Sequence, residues 1–181
     1  MMIDLMKHHG RYLKNNLKIK LQGNQMKNII KRTTLFVRDM EISKSWYEDV
    51  LGFSVWMDDI VTLSGIGMPA GGAGDKVRLI ILQAEDPAIG MIGLLEWVDP
   101  KLPAPKEIPK TVTYGNPTFV ASSDNVKEVA KKAKEFGSRI HAGPTEWSIR
   151  GQNGKMKTFL GLFLFDPDGY FYEINQLVSE E

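Results

Sequence analysis

The sequence has 181 residues, 43% apolar and 25% charged, with a formal net charge of +1, an ordinary globular composition with room for one substantial core or two small modules. No run approaches the ~18 apolar residues of a membrane span, and the N-terminus lacks the apolar core of a signal peptide. Cysteine is absent and histidine occurs only at positions 8, 9 and 141, which excludes disulfides, thiolate zinc sites and cysteine nucleophiles, leaves metal chemistry short of its commonest ligand, and suits a cytoplasmic protein.

The near-zero charge hides an asymmetry. Residues 1–32 hold eight Lys/Arg against Asp4 alone, so they carry +7 and the remainder −6. Such an arm can bind nucleic acid or anionic lipid, but Tyr12 is its one aromatic residue and it shows no binding motif. Nucleic acid is therefore not an expected partner. Residues 1–25 read as a loosely ordered arm or tag, and residues 26–181 as the folded domain.

From Lys31 the elements sharpen. Arg32–Val37 is strand-like, Asp39 offers an N-cap, and Ile42, Trp46, Tyr47, Val50 and Leu51 recur at helical spacing up to Gly52. Phe53–Met57 begins a second strand, and a Gly-rich stretch from Gly65 to Gly74 reads as a mobile connection or lid rather than a phosphate loop, since no Gly-Lys-Ser/Thr follows. Strands are predicted over Val77–Gln83 and Met91–Val98. Five prolines within 99–117 then mark an extended, semi-rigid linker.

After the linker the order repeats. Thr118–Ser122 is a strand, Ser123 or Asp124 an N-cap, and Val126, Val129, Ala130, Ala133 and Phe136 a helical stripe closed by Gly137. Arg139–His141 and Thr158–Phe165 read as strands, Gly143-Pro144 as a turn, and Gly151–Gly154 as a hairpin tip. Asp166-Pro167-Asp168-Gly169 is a tight reversal into the last strand, with Pro167 fixing φ and Gly169 taking a positive one. The chain thus holds two strand-helix-strand-strand-strand units, over 30–99 and 118–176, joined by the linker 100–117. Each sheet alone leaves one face bare, so the pair is expected to close a cup with the helices outside, an α+β fold of paired βαβββ modules.

Val37-Arg38-Asp39-Met40, then Trp46-Tyr47-Glu48-Asp49-Val50-Leu51-Gly52-Phe53, and finally Phe165-Asp166-Pro167-Asp168-Gly169 with Glu173, resemble the vicinal oxygen chelate superfamily of glyoxalases, bleomycin-resistance proteins and extradiol dioxygenases. The resemblance implies a glyoxalase-like, cup-shaped open barrel and a homodimer whose cups can use strands from both chains. Members that hold a divalent metal take ligands from the first and last strands of each module, typically His or Gln, Glu, His and Glu. Carried over residue by residue, these positions fall on Arg32, Gly93 (or Glu96 if the register slips), Thr118 and Glu173. One oxygen ligand facing a cation suits Zn, Ni or Fe poorly, so neither metal nor other cofactor is expected.

Alternation places Arg32, Thr34 and Phe36 on one face of the first strand, and Phe171, Glu173 and Asn175 on one face of the last. An Arg32–Glu173 ion pair on the cup floor is the expectation, with Thr118 beside it and Phe36, Trp97 and Phe171 as apolar walls. Arg32 could equally receive the carboxylate or enolate of a ligand. Two functions fit: a metal-independent binder of a small anionic or aromatic molecule, or an isomerase or lyase acting by proton transfer, with Glu173 as base and Arg32 stabilising the anion. His141, just past the second helix, is a further candidate base. The residues do not separate enzyme from binder.

Overall fold

The computed structural model describes residues 28–86 and 89–181, and the basic arm over 1–25 lies outside the described residues. The first module comprises β1 (Arg32–Phe36), α1 (Met40–Asp49), β2 (Ser54–Thr62), β3 (Lys76–Gln83) and β4 (Met91–Asp99). The second comprises β5 (Thr118–Ser122), α2 (Val126–Phe136), β6 (Arg139–Arg150), β7 (Met156–Phe165) and β8 (Phe171–Glu180). Each builds a four-stranded mixed sheet, ordered β1-β4-β3-β2 and β5-β8-β7-β6, in which the first strand pairs in parallel with the last. The two sheets share no ladder, and the repeated strand order makes the fold α+β with paired βαβββ modules.

Local chemistry accounts for most boundaries. The Asp39 carboxylate accepts the Ile42 N–H at 3.0 Å and starts α1, satisfying one of the orphan donors of the first turn. Asn125, not Asp124 or Ser123, caps α2, accepting the Glu128 N–H at 3.1 Å, while Ser123 Oγ is occupied by the Asn125 N–H. Gly137 ends that helix in the left-handed region, with φ of 82°. β6 does not stop at His141. It runs through Gly143-Pro144, which sits where the register shifts between Ala142 and Thr145. β6 is an edge strand, where a proline without an N–H forfeits no central ladder bond, so the dipeptide makes a bulge and not a turn.

One core joins the modules. Trp46 and Tyr47 of α1 are fully buried, and they cluster with Leu35, Ile80 and Leu94 of the first sheet and Leu162, Leu164 and Ile174 of the second. Trp46 donates its indole N–H to Ser138 Oγ at 2.8 Å, which settles the polar end of an otherwise apolar ring. Residues 31–181 form one compact unit. Among the described residues no helix is long and apolar enough to cross a membrane.

The hairpin turn before β8 ties this unit together. Asp166 Oδ1 accepts the N–H groups of Asp168 and Tyr170 at 3.0 and 2.8 Å. Asp168 reaches back to the first module: Oδ1 takes the backbone and Nε hydrogens of Arg38, both at 2.9 Å, and Oδ2 the Ser43 hydroxyl at 2.6 Å. Arg38 also donates to the Pro167 carbonyl. Gly169, with φ of 91°, lies against the linker, where a Cβ would come within 2.9 Å of Ile108 and Pro109. Arg139 fixes the linker from the other side, donating to the carbonyls of Pro109 and Lys110 at 2.7 and 2.6 Å with its guanidinium over the Phe165 ring.

Candidate functional site

In the first sheet the open face, turned away from the helices, carries Arg32, Thr34 and Phe36 on β1 beside Gly93, Leu95 and Trp97 on β4, as the parallel register dictates. Gly93 decides the geometry. A Cβ there would stand 2.8 Å from Thr34 Oγ1 and 3.1 Å from Arg32 Cδ, so the Arg32 side chain lies across β4 in the space a side chain at 93 would fill. Phe36 and Trp97 stack with ring centroids 5.2 Å apart and planes 13° from parallel. Arg32, Thr34, Phe36, Leu79 and Leu95 line a cavity of about 310 Å³, which Met68 of the Gly-rich connection also borders. That connection is closed by Leu63–Asp75 and Gly74–Leu63 backbone bonds. It folds back on the sheet, since a Cβ at Gly71 would lie 2.9 Å from Trp97 Nε1. Met68 gave no sequence signal, because a loop's landing place depends on tertiary packing.

In the second sheet Thr118 pairs with Phe171 and Val120 with Glu173. Gly161 lets the Trp147 indole cross β7, a Cβ there standing 2.8 Å from Nε1. Trp147 Nε1 donates to Asn175 Oδ1 at 3.0 Å, and Asn175 Nδ2 donates to Glu173 Oε1 at 2.7 Å. The chain Trp147–Asn175–Glu173 therefore holds the carboxylate in one orientation. His141 meets the Phe171 ring edge-on at 6.5 Å.

Within one chain the expected Arg32–Glu173 ion pair is not formed. Among the described residues no ion pair or hydrogen bond joins them: Glu173 is held by Asn175, and the cavity over Arg32 is lined entirely by the first module. Alternation correctly sorted faces within each sheet but carried no information on how the two sheets are set. Arg32 lies exposed on an edge strand, where water solvates a guanidinium that needs no protein partner. The four positions that the resemblance assigns to metal ligands hold Arg32, Gly93, Thr118 and Glu173. The positions supply a guanidinium, a glycine, a hydroxyl and one carboxylate, and among the described residues no cluster of three or more His, Cys, Asp or Glu could hold a metal ion.

The strongly displaced titrations lie elsewhere. Burial raises the hydroxyls of Tyr47 and Tyr172 well above the ordinary tyrosine range and pushes Asp166 up to about 7. These three groups are joined through Tyr47, whose hydroxyl donates to Asp166 Oδ2 at 2.9 Å and lies 2.8 Å from that of Tyr172. They belong to the core at the module junction, so here perturbed titration marks structure and not a reaction site.

Residues 29–174 match the Glyoxalase/Bleomycin resistance protein/Dioxygenase superfamily, and the chain belongs to it. Among solved structures it is similar to a glyoxalase family protein from Bacillus cereus, with a TM-score of 0.70 and 11% identity over 87% of this chain and 99% of that one. The trypanothione-dependent glyoxalase I of Leishmania major gives 0.54 at 18% identity over 83% and 87% of the two chains. TnmS3, an antibiotic binding protein from Streptomyces sp. CB03234, gives 0.51 at 17% identity over 86% and 100%. At these identities the likenesses establish the fold. No curated protein matches.

Proposed function

We propose that this protein binds a small anionic or aromatic molecule without a divalent metal, with Arg32 receiving the anionic group and Phe36 and Trp97 bounding the apolar part. The observation that carries this reading is a guanidinium free of protein partners among the described residues, laid over Gly93 at an apolar cavity. Its fork of donors matches a carboxylate or enolate, and apolar walls with a few placed polar groups are the usual make-up of a ligand site. That an antibiotic binding protein shares the fold fits the reading.

Two copies of the chain are proposed to pair about a two-fold axis, so that the Arg32 half-site of one chain meets Thr118, Phe171 and Glu173 of the other. In support, Val120 beside Glu173 is 72% exposed and Phe36 42% exposed, apolar surface that pairing would cover. A second reading is proton transfer by a glyoxalase-type isomerase or lyase, favoured by the fixed orientation that Asn175 gives the Glu173 carboxylate, since a general base acts only from a defined position.

The test uses 1-anilinonaphthalene-8-sulfonate, an anionic aromatic probe, on the full chain. Arg32→Met is expected to weaken binding by about 10- to 100-fold, the loss of a charge-assisted contact of ~1.5–3 kcal/mol. Its folding stability should change by less than ~0.5 kcal/mol, because no buried partner is stranded. Phe171→Ala is expected to weaken binding as well, and mixing the two variants after dissociation should restore about a quarter of normal capacity, since roughly half of the pairs are mixed and each mixed pair has one intact site. Unchanged affinity in Arg32→Met, or no recovery on mixing, would sink the ligand clamp or the shared site respectively. Stoichiometric zinc or nickel lost in Glu173→Gln would instead restore a metal-dependent enzyme.

A further inference from the structure

β1 ends at Phe36 opposite Leu95, while β4 continues to Asp99, so the last part of β4 has no neighbour on that side. The linker doubles back over this step. It is held near its middle by Arg139 and Gly169 against Pro109, and it borders a hollow of about 720 Å³ between the end of β4, the Asp166–Tyr170 turn and the prolines at 103 and 105. This is more than twice the volume over Arg32. Of that cavity's lining residues only Phe36 also borders the hollow, so the two lie on either side of the Phe36–Trp97 stack.

The lining has a definite chemical character. Phe36, Trp97 and Tyr170 supply aromatic surface, and the prolines supply flat aliphatic surface facing it. Five charged side chains border the hollow: Arg38, Lys101, Glu96, Glu107 and Asp168. Arg38 and Asp168 are bonded to each other at 2.9 Å and cancel. That leaves two carboxylates against Lys101, whose side chain is 78% exposed and whose Nζ stands 4.0 Å from Glu96 Oε1. The Glu96 side chain is only 19% exposed, and this long contact is its one ion pair among the described residues. A mostly buried carboxylate so loosely answered favours a cation, and three aromatic rings favour one that is flat and delocalised.

We propose that the hollow under the linker is a second small-molecule site, distinct from the Arg32 half-site and of opposite charge preference, which takes a planar aromatic amine with its cationic nitrogen on Glu96. A ligand there displaces the Lys101 ammonium to solvent, where it is already mostly exposed. Its ring lies between the aromatic wall and the proline strap.

Proflavine, a flat tricyclic cation, is the probe, titrated into the full chain and followed by its fluorescence anisotropy. Saturable binding by the parent protein is expected, weakened about tenfold or more in Glu96→Gln, as for loss of a charge-assisted contact. Ala104→Trp, on the exposed strap where folding is not at stake, should block binding by filling the hollow. Arg32→Met should leave the proflavine Kd unchanged while it loses the anionic probe. Absence of saturable binding by the parent protein overturns the proposal, as does equal affinity in Glu96→Gln, undiminished binding in Ala104→Trp, or loss of proflavine in Arg32→Met. Because the anionic probe reads the Arg32 site separately, the two readings fail independently.

Discussion

Asp168→Ala is expected to destabilise the folded protein by about 3–5 kcal/mol, a large fraction of a domain's whole stability. The Asp168 side chain is 5% exposed and that of Arg38 24% exposed. Its two oxygens accept three hydrogen bonds from the first module: the backbone and Nε hydrogens of Arg38, and the hydroxyl of Ser43. Removing the carboxylate leaves the Arg38 Nε–H, an amide and a hydroxyl without acceptors, each at a desolvation cost of about 1–3 kcal/mol less whatever water recovers, while the Pro167 carbonyl still answers the guanidinium. Since these bonds run between modules 125 or more residues apart, the loss should appear as a lower urea midpoint for the whole unit and not as local fraying. Arg38→Ala should cost less, because the backbone N–H of residue 38 and the Ser43 hydroxyl still donate to the carboxylate. The double variant should lose much less than the sum, which a double-mutant cycle measures directly. Additive losses would mean that the latch is not a unit.

Much of the fold was legible because it is written locally. Asp39 before an apolar stripe, Gly137 after one, and Asp166-Pro167-Asp168-Gly169 between two apolar runs each fix a backbone event within a few residues. The repeat of order across the linker then implied two like sheets. What failed was non-local. The length of β6 depends on its place at a sheet edge, which the dipeptide Gly143-Pro144 does not encode. The Arg32–Glu173 pair required the relative setting of two sheets, about which period-2 alternation is silent. The hollow under the linker arises because β4 outruns β1, a mismatch visible only once the strands are paired. Asn175 was placed near the site by alternation, but its bond to Trp147 depends on the missing side chain at Gly161, and a glycine in a strand signals a close approach without naming what approaches.

The Asp166 carboxyl gives the protein a pH dependence of stability opposite to that of a salt-bridged acid. Burial is the dominant cause, outweighing the hydrogen bonds from Tyr170, Tyr47 and Asp168, and it raises the group from 3.8 to about 7. In the unfolded chain Asp166 loses its proton near the ordinary value, whereas in the folded protein it keeps it to near neutrality. Between those limits the folded state binds more protons, so this group's contribution falls as pH rises from about 4 to 7 and is level above. At 1.36 kcal/mol per pH unit the span is roughly 4 kcal/mol at most, with other carboxylates adding their own slopes. Asp166→Asn isolates it. An amide oxygen in place of Oδ1 still accepts from Asp168 and Tyr170, and the Tyr47 hydroxyl, which now faces an N–H in place of Oδ2, can accept that hydrogen and turn its own toward Tyr172. Urea unfolding of the two proteins across this range should show the parent losing stability relative to Asp166→Asn as pH rises, with the curves parallel above about pH 7. A variant that tracks the parent at every pH would show that the buried carboxyl is ionised throughout, held by its three donors against the loss of water.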